Sequence, residues 1–202
     1  MTTADFAHLF GGARVMAILR GLPVAETVRL AERAWDLGIE VVEVPVATAD
    51  AVPALRAAVE AGAARGRIVG AGTVLDDETV AAAADAGAAF TVAPGLDLAV
   101  ADAAAARGLP HLPGVATPTE AQAALRHGLT WLKAFPAISL GPAWFKAIAG
   151  PFPQLRFVAT GGLDATNAAA FLDAGVRVVA VGSALTDPEQ LDHLAKLTTP
   201  HP

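Results

Sequence analysis

Val41-Val42-Glu43-Val44-Pro45-Val46 leads, past Thr48 and Asp50, into an Ala-rich stretch over residues 51–64. So apolar a β-branched run suits a strand covered on both faces, as in a parallel sheet, and the stretch behind it suits the crossover helix. Either Thr48 or Asp50 can cap that helix. The same pattern extends in both directions, giving strand candidates at 14–19, 41–46, 67–70, 89–92, 110–112, 130–134, 156–159 and 178–181. Asp76 precedes a helix over 78–86, and Thr117-Pro118-Thr119-Glu120 has capping-box spacing with Pro in the first helical turn. Gly38, Gly62, Gly87, Gly108, Gly128 and Gly175 each follow a helical run, where a left-handed residue would end the helix and turn the chain into the next strand.

Eight such units without a linker or compositional shift predict an α/β fold: a compact single-domain (β/α)8 TIM barrel spanning residues 1–202. The rival is an open dinucleotide-binding sheet. It needs a G-x-G-x-x-G turn after the first strand, where Arg20-Gly21-Leu22-Pro23 stands instead. With 54% of 202 residues apolar and 17% charged, the chain can fill one sizeable core. Fourteen Lys and Arg against 20 Asp and Glu give a net charge of −6, and no basic tract matches a row of phosphates, which argues against nucleic-acid partners. The absence of Cys removes disulfides, thiolate metal sites and cysteine nucleophiles. Apolar runs shorter than a membrane span and a start unlike a signal peptide lead to the expectation of a cytoplasmic protein with no membrane partner.

Three charged residues interrupt this apolar pattern. Lys133, in Leu129-Thr130-Trp131-Leu132-Lys133-Ala134-Phe135, is one of only three lysines. Enclosure by Trp131, Leu132 and Phe135 would strip its hydration and favour the free amine that attacks carbonyls, unless the side chain snorkels to solvent. Glu43 is either a general acid/base whose pKa is raised by apolar neighbours or one half of an ion pair. Arg20 ends the first strand, where it can hold a carboxylate through paired hydrogen bonds or pair with Glu43. Thr160-Gly161-Gly162 and Gly182-Ser183 follow the last two strands, where barrels of this kind bind phosphate through backbone N–H groups. The histidines show no metal-triad spacing, Ser183 has no evident His and Asp partners, and Asp76-Asp77-Glu78 reads as a helix start. No metal or cofactor is expected.

Val42-Glu43-Val44, Gly70-Ala71-Gly72-Thr73-Val74, Ala93-Pro94-Gly95, Leu112-Pro113-Gly114-Val115, Leu132-Lys133-Ala134-Phe135-Pro136 and Thr160-Gly161-Gly162 occur in that order at predicted strand ends. In this the chain resembles, over nearly its whole length, the 2-keto-3-deoxy-6-phosphogluconate / 4-hydroxy-2-oxoglutarate aldolase family. The resemblance implies a metal-free class I aldolase, trimeric in many relatives, that splits a 2-keto-3-deoxy-6-phospho sugar acid into pyruvate and an aldehyde. It implies Lys133 as the Schiff-base lysine and Glu43 as the general acid/base. Thr73 would bind the pyruvyl carboxylate, Gly161, Gly162 and Ser183 the phosphate, and Pro94, Phe135 and Thr160 would join the substrate pocket. Many members carry Arg four residues beyond the glutamate, where this chain has Ala47. That departure, Pro45 and the setting of Arg20 are similar to the 6-phosphogalactonate branch, whereas residues 150–153 and 156–162 are closer to the phosphogluconate and hydroxyoxoglutarate branch. Both substrates stay open at this point, beside a non-catalytic sugar-phosphate-binding barrel.

Overall fold

The computed structural model describes residues 6–182, 185 and 187–198. A short helix α1 (Phe6–Phe10) precedes β1 (Val15–Ile18), α2 (Val24–Asp36) and β2 (Val41–Pro45). A 3-10 turn (Ala49–Ala51) then runs into α3 (Val52–Ala63), followed by β3 (Val69–Gly72), α4 (Asp77–Asp85), β4 (Thr91–Val92) and α5 (Leu98–Ala106). Two short strands, β5 (His111–Leu112) and β6 (Gly114–Val115), lead to α6 (Pro118–Arg126), β7 (Trp131–Ala134) and α7 (Ala137–Ala149). The remainder is β8 (Arg156–Thr160), α8 (Ala168–Asp173), β9 (Val178–Val181) and α9 (Pro188–Ala195).

The strands lie in the order β5-β4-β3-β2-β1-β9-β8-β7-β6, and every pair is parallel. β5 pairs with β4 and β6 with β7, so the two are halves of one barrel strand interrupted at Pro113. Proline has no N–H to give the ladder, which breaks the strand. Its carbonyl still accepts from the Lys133 N–H at 2.8 Å, and the ring closes there. The expected eight strands are therefore nine ladder segments at eight barrel positions.

Strand alternation sorts the side chains into two concentric cores. Val42 and Val44 of β2 face outward into a layer shared with Leu30, Trp35, Leu55 and Phe157, while Val41 faces inward with Met16, Ile18, Phe90, Val158 and Val178. Phe6 and Phe10 of α1 close the bottom of this inner cluster, with the Phe10 ring 5.5 Å from both Phe90 and Trp131.

Three expectations are corrected. The third strand runs over 69–72 rather than 67–70, because Arg67 is drawn into an ion pair with Glu40 and the ladder continues through Gly70, Ala71 and Gly72. Gly62 does not end its helix in the left-handed region; it lies within α3, and Gly66 (φ 64°) makes the turn. A Cβ at Gly62 would come within 2.9 Å of the Arg67 carbonyl, so this glycine serves close packing. The other five turn glycines have φ between 73° and 95°. Asp76 and Thr117 both cap their helices through capping boxes, whereas neither Thr48 nor Asp50 caps α3: Thr48 precedes the 3-10 turn and Asp50 lies inside it, and the residue before α3 is Ala51, with no side-chain cap.

Candidate active site

Glu43 sits at the centre of β2, where alternation points it into the barrel, and it is fully buried. Its space is created by the neighbouring strand. A Cβ on Gly72 would lie 2.0 Å from Glu43 Oε1, and one on Gly70 would lie 2.2 Å from the Phe90 ring. The inner face of β3 is thus bare, with Phe90 filling the lower gap and the carboxyl the upper. Both Glu43 oxygens lack a hydrogen-bond partner among the described residues, and no ion pair to Arg20 forms there. Burial pushes the Glu43 carboxyl above its ordinary range, opposed by the positive charges of Lys133 and Arg20.

Lys133 occupies the inner face of β7 one step above Trp131, beside Gly114 of β6 and Val158 of β8. It is 2% exposed, which removes the snorkelling alternative, and its Nζ lies 5.2 Å from the centre of the Phe135 ring. Gly114 has no room for a side chain, since a Cβ there would stand 2.1 Å from the Pro94 carbonyl oxygen. The end of β4 is thereby pressed against the strand beside the lysine. Desolvation lowers the Lys133 pKa and Arg20 lowers it further, while Glu43 acts the other way. Amine and carboxyl thus lie within each other's field, the one pushed toward its free base and the other toward its acid.

Above the C-terminal strand ends lies a cavity of about 420 Å³. Arg20, Phe135, Thr160, Gly161 and Gly162 line it, together with Leu22 and Leu163. Thr160 is 4% exposed and its hydroxyl has no partner among the described residues. Gly161 (φ 99°) and Gly162 (φ 75°) take conformations that only glycine adopts easily. A Cβ on Gly162 would strike Ile138 at 2.5 Å. The loop is held by Asn167, whose side-chain amide donates to the Gly162 carbonyl at 3.0 Å, and by the Ile138 N–H, which donates to the Gly161 carbonyl at 3.0 Å.

Five of the predicted substrate-binding residues therefore share one cavity. Thr73 and Pro94 do not line it; they stand at the ends of β3 and β4. Thr73 has φ 58°, the only non-glycine residue with positive φ among those described. A β-branched side chain in that conformation is strained, a condition that concentrates at ligand-binding positions. Ser183 lies outside the described residues. Sequence reasoning quoted Gly72 and Gly114 within short motifs but gave neither a role, because a glycine's lack of a side chain carries no meaning until strand register shows what presses against it.

Barrel, buried amine and glycine-lined mouth together define a β/α-barrel enzyme equipped for amine–carbonyl chemistry. The chain matches the family described as KDPG and KHG aldolase over residues 8–199, and it belongs to that family. It is 38% identical to a probable 2-dehydro-3-deoxy-6-phosphogalactonate aldolase of Rhizobium meliloti, over 86% of this chain and 82% of the relative. It is 39% identical to a 2-dehydro-3-deoxy-phosphogluconate aldolase of Pseudomonas aeruginosa, over 84% of this chain and 77% of the relative. Among solved structures, the KDPG aldolase of Legionella pneumophila with pyruvate captured as a covalent carbinolamine is similar, with a TM-score of 0.84 and 29% identity over 96% of this chain and 97% of that one.

Proposed function

We propose that the protein is a class I aldolase that cleaves 2-keto-3-deoxy-6-phosphogluconate, and also 4-hydroxy-2-oxoglutarate, to pyruvate and an aldehyde. The observation that carries this reading is the solvent-excluded Lys133 amine, lowered in pKa, in the field of an unpartnered buried Glu43.

The free amine attacks the C2 ketone, and loss of water, with Glu43 supplying the proton, gives a protonated imine. Glu43, directly or through water, then takes the C4 hydroxyl proton. The C3–C4 bond breaks, its electron pair flows into the imine to form an enamine, and the aldehyde departs. Protonation at C3 and hydrolysis release pyruvate and restore the amine. Glycine amides around Gly161 and Gly162, with Ser183, hold the distant phosphate, so that remote binding aligns the reacting bond. Thr73 contacts the pyruvyl carboxylate and Pro94 packs beside it, while Phe135 and Thr160 shape the pocket. A second reading, the galactonate epimer, is favoured by Ala47 and by Arg20, the only cation lining the cavity among the described residues. The same reading makes the protein a cytoplasmic homotrimer acting on small molecules alone.

Incubation with pyruvate and borohydride, followed by mass analysis of peptides, tests the proposal. One reduced adduct on Lys133, absent from Lys133→Met, is expected; an unmodified chain would overturn it. Side-by-side rates of pyruvate release from the two epimers choose between the substrates.

A further inference from the structure

The opposite end of the barrel carries a second concentration of charge. Arg14 immediately precedes β1, Arg177 precedes β9 and Arg156 opens β8, and these three strands are adjacent. The Val179 N–H donates to the Arg14 carbonyl at 2.9 Å and the Arg177 N–H to the Phe157 carbonyl at 3.0 Å, which fixes the three residues side by side. All three line a groove of about 750 Å³, whose remaining wall includes Trp131, Leu155 and Leu172. Arg29, Arg33, Arg65, Arg67 and Arg107 are each matched to an Asp or Glu; among the described residues none of these three forms such a pair, as is also true of Arg20, Arg56 and Arg126, but only these three lie together in one groove. Arg156 commits only Nη1, to the carbonyls of Pro153 and Leu155 at 3.0 and 3.1 Å.

In a chain of net charge −6, these three guanidiniums share one groove and repel one another with no carboxylate paired to them among the described residues. Planar forks of N–H donors suit phosphate oxygens, and a multivalent anion can engage several at once. The groove has the size of a small-molecule site, and its apolar wall can accept an organic group attached to the anion. We propose that this groove binds a small molecule bearing a diphosphate or triphosphate group, at a site separate from the catalytic mouth.

Calorimetric titration with pyrophosphate and with adenosine triphosphate tests this on the wild-type protein and on Arg177→Gln, Arg14→Gln/Arg177→Gln and Arg20→Gln. Both probes should bind the wild type, with affinity falling about tenfold or more in the Arg177 variants and persisting in Arg20→Gln. Arg177 is exposed, so its single variant leaves the core untouched. Absence of binding by either probe, or equal affinity in wild type and Arg177→Gln, overturns the proposal. So does loss of binding on Arg20→Gln alone, which would assign the heat to the catalytic cavity. A lowered Tm in the double variant with unchanged affinity would make the arginines partners of the helix C-termini and likewise overturn it. Binding of an oligonucleotide or polyglutamate without binding of pyrophosphate would also count against it, since the surface would then serve a macromolecule.

Discussion

Glu43 owes its position to an atom that Gly72 lacks, so the two residues should behave as one unit in catalysis. Glu43→Gln is expected to slow turnover by about 10² to 10⁴ while leaving some, slower imine trapping at Lys133. Gly72→Ala must swing the carboxylate aside, and should lower kcat about tenfold or more at a stability cost of roughly 1–3 kcal/mol. Because both act through the same carboxyl, the double variant should be little slower than Glu43→Gln alone. Steady-state kinetics on the three proteins checks this, and a wild-type kcat for Gly72→Ala would contradict it. A second buried group acts on stability. His111 Nδ1 shares a hydrogen bond with Thr91 Oγ1 at 2.9 Å, its Nε2 has no partner among the described residues, and burial pushes its pKa down to about 4 against the pull of Asp97. A histidine depressed in the folded state contributes stability that is present above its unfolded pKa and lost as pH falls through the folded one. The stability advantage of the wild type over His111→Leu should therefore shrink by roughly 3 kcal/mol between about pH 7 and about pH 4, as read by urea titration.

At the scale of elements, the helix starts that carry a capping box were the most legible part of the chain, because such a cap is a local pattern, whereas the 3-10 turn ahead of α3 left Thr48 and Asp50 without the capping role they were given. Thr117 accepts from the Glu120 N–H at 3.3 Å, and Glu120 Oε2 accepts from the Thr117 N–H at 2.9 Å, as the four-residue motif implied. Thr117→Ala should cost about 1 kcal/mol by denaturant midpoint and leave imine trapping unchanged. The strands misread were those whose identity depends on distant neighbours. Gly70-Ala71-Gly72 has poor strand character on its own, and its glycines make sense only against Phe90 and Glu43. Pro113 splits the fifth strand at a point where the partner changes from β4 to β7, which no local pattern records. Gly62 looked like a helix stop because composition cannot separate a glycine that turns the chain from one that makes room for it.

At the scale of the whole molecule, the barrel followed from repetition of one unit, and the two catalytic candidates from their being charges in apolar strands. The stopper of α1 against Phe90 and Trp131 was not legible, since Phe6 and Phe10 gain meaning only from rings far along the chain. That stopper dictates traffic. With the lower end of the lumen sealed, everything enters and leaves past the upper rim, and Lys133 lies deeper than the glycines lining that rim. On the proposed mechanism the fragment tethered to Lys133 is the last in the queue: the aldehyde has to clear the doorway before pyruvate can follow. In steady state, pyruvate should compete with the sugar acid, whereas the aldehyde should inhibit noncompetitively. In the synthetic direction pyruvate must load first, so an aldehyde offered early would wait outside an unprimed enzyme.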